Sequence, residues 1–437
     1  MTTRKVKVGD TQIGLLEGLL AEPVEAMVVI DDRGAIITVP QSKSFFDLVR
    51  EGEVVHGVEL ATHSSPVPES LTFRGTDQCF ILQGCRQQGS SVVFGGNRLS
   101  QTRIRADRII VDADTDVDYS SVHGLESRVE GLAAWSGMGA VSTTFENPEG
   151  PYPAVVLKGQ NQPSHELGGP FNALLTTSFT HKPELWGEVH QIRETLLVKT
   201  RTEELRSLAD HRRVHIMLQD LMCLVYGKAV AADATAVMHE DDQPYKDLSD
   251  KRLWRELYEP HFGRHVDGLP VLDTSRDEPL FHLSDTNESC VRTWMDQWNN
   301  WSRPTSIAVT TLFQQGTTIE ARLLQIAVAL EALGYAILID EGKRPTRLAN
   351  VEQALKAIFK RIPWEWGTIL DGEKSTKWAQ RFRTSYNGVK HADNPLPDPL
   401  TALKLARQGL TVMRAWQAHQ LGVPEDVVQQ ALQRDSR

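Results

Sequence analysis

The feature that most constrains the fold is a change in hydrophobic spacing along the 437-residue chain. Through most of residues 11–200, short apolar or alternating runs are separated by turn residues, a pattern typical of β-strands. One predicted strand is 54–60, and turns are predicted at 31–34 and 95–97. From Glu288 onward, apolar residues recur at helical spacing instead. The sequence therefore predicts an α+β protein, with a β-rich, sandwich-like part followed by an all-α part.

These patterns divide the chain into three predicted regions. Residues 1–200 are the β-rich domain, 201–286 are a helical and mixed connecting region, and 287–437 are a helical bundle. Within the connecting region, 203–228 has the spacing of an amphipathic helix, and the polar stretch that follows it, to residue 250, is predicted as a loop. The helices predicted in the bundle are 288–301, 303–339 with a break near Gly316, 347–362, 373–391, 398–421 and 424–435.

Charge is unevenly distributed along the chain. The formal net charge is −10, which argues against a general nucleic-acid coat protein. Between Lys343 and His391, however, there are eleven lysines and arginines and only four acidic residues, a local balance of +7. An acidic protein with one basic segment is expected to bind an anion there, although solvated helix faces could produce part of this asymmetry.

The cysteines and the apolar runs predict a cytoplasmic protein. The four cysteines are scattered without zinc-site spacing, so we expect reduced and mostly buried thiols. The first ten residues carry no apolar segment of a signal peptide. The longest apolar run, 323–339, contains Glu331 and is predicted as the buried helix of a soluble domain rather than a membrane span. No cofactor and no metal are expected.

The residues best suited to chemistry lie near the end of the predicted helix 373–391. Arg383, Asn387 and His391 are spaced at i, i+4 and i+8, so on a helix they drift only about 80° around the axis. A cation, an amide and an imidazole would then share one face. Such side chains can hold a phosphate and move a proton beside it. We therefore predict Arg383, Asn387 and His391 as the catalytic residues.

Four further residues are predicted to support the site or to contact a phosphate, and each has a structural alternative. Lys390 either contacts phosphate or is a solvated lysine. Tyr386 either packs in the core or brings its hydroxyl near the site. Arg381, on another face, is either structural or a contact to a backbone phosphate. Glu331 needs a partner in its apolar helix, and we expect an arginine of the helix that carries Lys390, in an ion pair that is either structural or orients the catalytic residues.

The order of these elements resembles the HEPN domain, and more closely the ApeA-type anti-phage HEPN proteins. The resemblance is carried by the long helix around Glu331 and by the later segment 386–393, Tyr-Asn-Gly-Val-Lys-His-Ala-Asp. The N-terminal part matches more loosely, through its β-rich start, the segment around Trp135 and the helix that ends at Tyr226.

The resemblance implies a ribonuclease that uses no metal and cleaves RNA, with tRNA as one candidate, by attack of the ribose 2′-hydroxyl. It implies a homodimer or a higher homo-oligomer, in which paired helical domains bring two copies of the motif together. It also implies abortive-infection defence, with a phage protein as a candidate trigger. The family's polar residue and histidine correspond here to Asn387 and His391.

The sequence departs from the family pattern at one position. Tyr386 stands where the family arginine precedes the amide, and the nearest upstream arginine, Arg383, is separated from His391 by seven residues, one more than usual. Either Arg383 acts from one turn earlier, or the domain is inactive. Two non-enzymatic alternatives are a sensor that binds RNA or a nucleotide and a protein-interaction scaffold that dimerises through its helices.

Two other motifs favour structural roles. Trp294, Trp298 and Trp301 recur at i, i+4 and i+7, which could stack bases but is more typical of a core or a dimer interface. His211 and His215, at i and i+4, could share a metal ion. Because no third ligand is evident nearby, we expect both histidines on a solvated polar face.

Overall fold

The computed structural model describes residues 6–41, 67–91, 100–146, 149–150, 154–184, 189–242, 254–274, 276–343 and 351–435. The predicted strand 54–60 and the predicted turn 95–97 lie outside these residues. Two compact units are formed. The first unit comprises Met1–Ser127, Arg201–Arg212 and Asp233–Phe262, and the second unit comprises Arg128–Thr200, Arg213–Ala232 and Gly263–Arg437.

The described residues contain sixteen strands and nine α-helices. The strands are β1 (Thr11–Glu17), β2 (Val24–Asp31), β3 (Gly34–Gln41), β4 (Ser70–Gly75), β5 (Cys79–Gln83), β6 (Arg86–Ser91), β7 (Ser100–Ala106), β8 (Arg108–Val111), β9 (Ser121–Val129), β10 (Val141–Glu146), β11 (Ala154–Gly159), β12 (His165–Gly168), β13 (Ala173–Glu184), β14 (Val189–Ser207), β15 (Ala232–Met238) and β16 (Trp254–Tyr258). The helices are α1 (Leu132–Ser136), α2 (Leu208–Tyr226), α3 (Glu288–Asp296), α4 (Trp298–Phe313), α5 (Ile319–Asp340), α6 (Val351–Arg361), α7 (Ser375–Lys390), α8 (Pro399–Gln420) and α9 (Glu425–Asp435).

The first unit is built on an antiparallel sheet whose strand order is β9-β15-β16-β8-β5-β4-β1-β2-β3-β7-β6. Alternation explains its core: on β2, Ala26, Val28 and Ile30 are buried, because successive side chains of a strand point to opposite faces. The predicted turn 31–34 is confirmed, since β2 and β3 pair directly across it. Beside this turn, the guanidinium of Arg105 donates two hydrogen bonds to the Asp31 carboxylate, at 3.0 and 2.9 Å.

The second unit combines a few strands with most of the helices. Strands β12, β13 and β14 are neighbours in that order, and β10 pairs with β11 in a separate two-stranded sheet. Helix α5 is central to the helical part, with eight buried residues that include Leu323, Leu330 and Ile337. Its Gly334 lets α6 approach closely, because a Cβ there would lie 2.5 Å from the Cα of Ala354. Replacing this glycine would force the two helices apart.

The predicted fold class is confirmed, since a large antiparallel sheet precedes an all-α part. The predicted break near Gly316 is also confirmed, because it lies between α4 and α5. The predicted boundaries 1–200, 201–286 and 287–437 divide the chain by element type along its sequence and stay a prediction.

Three elements differ from the sequence-based expectations. The predicted helix 203–228 begins only at Leu208, because β14 continues through Ser207 and strand pairing overrides helix propensity. The predicted loop after it contains β15, whose alternation is hard to see because three of its residues are alanines. The predicted helix 288–301 is two helices that meet at Gln297, where the backbone leaves helical geometry at φ −92° and ψ 14°.

One helix, α5, is long and apolar enough to cross a membrane by length and composition. Within its most apolar 18-residue window, 44% of the residues are buried by the rest of the protein. The core helix of a water-soluble protein meets the same criterion, so this helix is weak evidence for a membrane span.

Candidate active site

Helix α7 carries five of the seven residues predicted for the site, and a sixth, His391, directly follows its last residue. One face of this helix is buried, and its residues recur every three or four positions, as in an amphipathic helix. The Trp378 and Phe382 rings on that face lie 4.9 Å apart. Trp378 also donates a hydrogen bond of 2.8 Å from its indole nitrogen to Gln408 of α8. These contacts fix the rotation of α7 and hence the direction of its other side chains.

The helix ends just before the predicted histidine. Lys390 is its last residue, and His391 has extended backbone geometry, with φ −121° and ψ 121°. The His391 N–H still donates to the carbonyl of Asn387, at 3.0 Å. His391 is exposed, whereas Asn387 is half-buried. The imidazole of His391 is therefore attached to extended backbone at the helix end. It does not lie on the helical face that carries Arg383 and Asn387.

The chain beyond the helix folds back onto it. A Cβ at Gly388 would lie only 2.3 Å from the carbonyl oxygen of Pro395, so a glycine is needed for this approach. Asn394 adds a weak hydrogen bond of 3.4 Å from its side-chain amide to the carbonyl of Asn387. Together these contacts determine the backbone position of His391, which lies between the two contact points in sequence.

Arg383 is held by an acidic residue of the neighbouring helix α6. Its Nη1 lies 2.7 Å from Oε2 of Glu352, and its side chain is 40% exposed. The other oxygen of Glu352, Oε1, lies 2.7 Å from Nζ of Lys356, one turn along α6. Glu352 is nearly buried, and Lys356 first and Arg383 second lower the pKa of its carboxyl below the ordinary value. The guanidinium is thus positioned from one side and open to solvent on the other.

Lys390 and Tyr386 form a second contact on α7. Tyr386 is 4% exposed, so its ring packs in the core as one of the two alternatives expected. Nζ of Lys390 lies 5.1 Å from the centroid of that ring, within the range of a cation–π contact. Tyr386 raises the pKa of Lys390 above its ordinary value, with a smaller contribution from Glu331. Lys390 therefore stays charged while it lies over the ring.

The expected arginine partner of Glu331 is wrong. Arg383 pairs with Glu352, and Arg381 pairs with Glu373, whose Oε2 lies 2.6 Å from Nη2 of the arginine. The cation that acts on Glu331 is Lys390, which lowers the pKa of this carboxyl, while burial raises it by more. The position of a residue around the helix axis decides which neighbour its side chain can reach. Lys390 is placed to act on Glu331 of α5, whereas the two arginines pair with other acidic residues.

The predicted residues therefore form two groups, one at the end of α7 and one between α7 and α5, with Arg381 outside both. Arg383 and Asn387 are one turn apart, with His391 just beyond the helix end; Tyr386, Lys390 and Glu331 form the second group. Arg381 is directed elsewhere by Glu373.

Sequence reasoning missed Glu352, which holds Arg383. The only local signal was its i, i+4 spacing to Lys356, a common surface arrangement on helices. Its pairing with Arg383 joins residues 31 positions apart on different helices, and no periodicity within one helix reports such a contact.

The histidine pair on α2 is not on a solvated face, which corrects that expectation. His211 and His215 are both fully buried. Nε2 of His211 lies 3.3 Å from the Val122 carbonyl, and Nε2 of His215 lies 3.0 Å from the Thr200 hydroxyl. Burial lowers the pKa of His211 to about 4. Within the described parts of the chain, no three His, Cys, Asp or Glu side chains are placed to share a metal ion.

The tryptophan stripe is part of the core, as favoured from the sequence. Trp294 and Trp301 are each 2% exposed. The Trp294 ring meets Trp298 edge to face at 5.1 Å between centroids, and Trp301 meets Trp416 of α8 at 5.3 Å. The helix break at Gln297 separates the first of these tryptophans from the other two, so they do not form one continuous stripe for stacking bases.

Comparison with known proteins gives one family. No curated protein matches the chain, and no solved structure does. The family model described as "ApeA N-terminal domain 1" matches residues 46–294, which is more than half of the 437 residues. The chain therefore belongs to the ApeA family.

Proposed function

We propose that this protein is a metal-independent endoribonuclease of anti-phage defence, with its active site at the end of α7. Membership of the ApeA family is consistent with anti-phage defence. The observation that carries the nuclease proposal is the arrangement of Arg383, Asn387 and His391. A half-exposed guanidinium held by Glu352 precedes an amide by one turn, and an exposed imidazole follows at the helix end.

The chemistry follows from these side chains. The imidazole of His391 takes the proton of a ribose 2′-hydroxyl, as a general base. The resulting oxygen attacks the adjacent phosphorus, the bond to the 5′-oxygen breaks, and the leaving oxygen receives a proton from an imidazolium. The products are a 2′,3′-cyclic phosphate and a 5′-hydroxyl. In a homodimer, the histidine of the second copy supplies that proton.

Arg383 is suited to the phosphate. Nη1 of Arg383 lies 2.7 Å from Oε2 of Glu352, and a guanidinium has five N–H donors. The remaining donors can hold two phosphate oxygens and stabilise the charge that grows on them. We assign Asn387 to orient the RNA and Lys390 to contact its backbone. RNA, with tRNA as one candidate, is the proposed substrate, and a phage protein is the proposed trigger.

A second candidate function is a non-enzymatic sensor that binds RNA or a nucleotide. Tyr386 at the family arginine position is buried, so no cation stands at that place. The nearest alternative, Arg383, has part of its charge balanced by Glu352. A phosphate would still bind there, but with weaker stabilisation of the transition state.

Purified protein incubated with total RNA and tRNA in EDTA tests the nuclease. We expect cleavage with 2′,3′-cyclic phosphate ends, and no cleavage where the attacking sugar is 2′-deoxy. His391→Ala should lower the rate at least about 100-fold, because loss of a general acid–base catalyst costs this much or more. The matched control is His265→Ala, which removes an exposed histidine of the same unit that lies near Asp267.

The same variants separate the two candidates in cells. The wild-type chain should slow growth when expressed, and His391→Ala should not. If His391→Ala retains full cleavage and toxicity, the nuclease site lies elsewhere. If neither protein cleaves RNA but both bind it with equal affinity, the sensor function replaces the nuclease.

A further inference from the structure

The second unit contains a cleft of about 560 Å³ that includes none of the seven residues predicted for the nuclease site. It is lined by the turn after α2, by the loop 266–272 and by parts of α4, α5 and α8. A volume of this size is typical of pockets for small molecules.

The walls of the cleft are largely apolar. The loop contributes Leu269, Pro270 and Leu272, and the helices contribute Leu312, Ile326 and Leu410. Apolar walls gain free energy by covering an apolar or aromatic body, at about 25 cal/mol for each Å² removed from water. The cleft therefore favours a ligand with such a body.

The loop wall is anchored, so the cleft exists before a ligand arrives. The N–H of Leu272 donates to Oε1 of Glu130 at 2.6 Å, and the N–H of Asp273 donates to Oδ2 of Asp277 at 3.1 Å. Lys228, in the turn after α2, forms an ion pair with the same aspartate. A preformed cleft loses little conformational entropy on binding.

The charges that line the cleft leave an excess of two cations. Lys228 and Asp277 neutralise each other, and Lys228 lowers the pKa of the Asp277 carboxyl. The other charged lining residues are Arg322 of α5 and Arg407 of α8. In the part of the chain that the structure describes, no carboxylate forms an ion pair with either arginine. This differs from Arg383 and Arg381, which both have acidic partners.

We infer that this cleft binds a small anionic molecule with an apolar or aromatic body. The body contacts the leucine-rich walls, and a carboxylate, sulfonate or phosphate accepts hydrogen bonds from Arg322 and Arg407, whose planar guanidinium groups match such anions. This binding does not depend on RNA cleavage at α7.

A pair of dyes tests the inference on the full-length protein. The probe is 8-anilinonaphthalene-1-sulfonate, an anion with an aromatic body, and N-phenyl-1-naphthylamine is its uncharged counterpart. We expect saturable fluorescence with one sulfonate dye bound per chain. Arg407→Ala should weaken binding of the sulfonate dye about tenfold, as the loss of one charge-assisted hydrogen bond predicts. The same change should alter the affinity for the uncharged dye by less than about twofold.

Arg322→Ala should have the same charge-selective effect, and Arg303→Ala is the matched control, because Arg303 is an exposed arginine of α4 that does not line the cleft. If Arg322→Ala does not fold, as judged by circular dichroism, the exposed Arg407 decides the outcome alone. The inference is overturned if binding of the sulfonate dye does not saturate, or if Arg303→Ala weakens that binding as much as the cleft variants do. It is also overturned if the cleft variants lower the affinity for both dyes to the same degree.

Discussion

The cations at the end of α7 and those of the cleft differ in whether another residue of the protein holds them. Arg383 and Arg381 each lie within 2.7 Å of a carboxylate oxygen, and Lys390 lies over the Tyr386 ring. Arg322 and Arg407 line an apolar cleft without such partners among the described residues. A cation paired with a carboxylate attracts an anionic ligand less strongly, but its position is fixed, which suits catalysis. A cation without such a partner attracts an anionic ligand more strongly, which suits binding.

Removing one arginine from each group should give the largest difference between the two sites. Arg383→Ala should lower RNA cleavage by about 100- to 1,000-fold, the usual effect of losing a donor that stabilises transition-state charge. Arg407→Ala should leave cleavage within about twofold. Initial rates on one RNA substrate measure both. Equal losses in the two variants would mean that the cleft and α7 act as one site.

The extended backbone at His391 can be disturbed without touching a cation. Gly388→Ala places a methyl group against the carbonyl oxygen of Pro395, and such overpacking should lower the free energy of unfolding by about 1–3 kcal/mol. Cleavage should fall as well, because the same contact positions His391. Thermal unfolding and initial rates are the measurements.

Gly367→Ala is the matched control, since a Cβ there meets no atom within 4 Å. A loss of stability equal to that of Gly388→Ala would show that the contact with Pro395 is not the cause.

The contribution of the Glu352–Arg383 ion pair to catalysis can be measured by changing Glu352. Glu352→Gln keeps the size of the side chain but removes its charge from the ion pair with Arg383, so kcat should fall about tenfold with little change in KM. Glu373→Gln, which makes the same change beside Arg381, should leave kcat within about twofold. If Glu352→Gln instead raises kcat, the carboxylate restrains the arginine rather than positions it.

The smallest effect concerns the half-buried Glu331. Burial raises the pKa of its carboxyl despite Lys390. A raised carboxyl pKa means that the charged form destabilises the fold, and this cost grows as the pH rises from the unfolded value through the folded one. Glu331→Gln should therefore stabilise the protein at pH 7, by less than about 1 kcal/mol because water screens the group, and should have no such effect at pH 3.

Urea unfolding of Glu331→Gln at these two pH values gives the answer. Destabilisation at pH 7 would show that the attraction of Lys390 exceeds the cost of burial, and that this lysine is held by the acid as firmly as Arg383 is.

The structural class of each region, and the side chains available at the end of α7, follow from the sequence alone. Alternation gave strands such as β2, and the 3.6-residue period gave helices such as α7, because both patterns are local consequences of backbone geometry. The break near Gly316 followed from one residue. Burial of the tryptophans followed from their size and spacing.

The pairing of those side chains, in contrast, depends on how the helices pack in the tertiary structure. The pairing of Arg383 with Glu352, the placement of Lys390 beside Glu331 and the full burial of His211 and His215 all join residues that are distant along the chain. Where a helix ends and how it rotates against its neighbours set these contacts, and both depend on packing across elements. The cleft with Arg322 and Arg407 arises for the same reason, since three helices and a loop must meet before it exists.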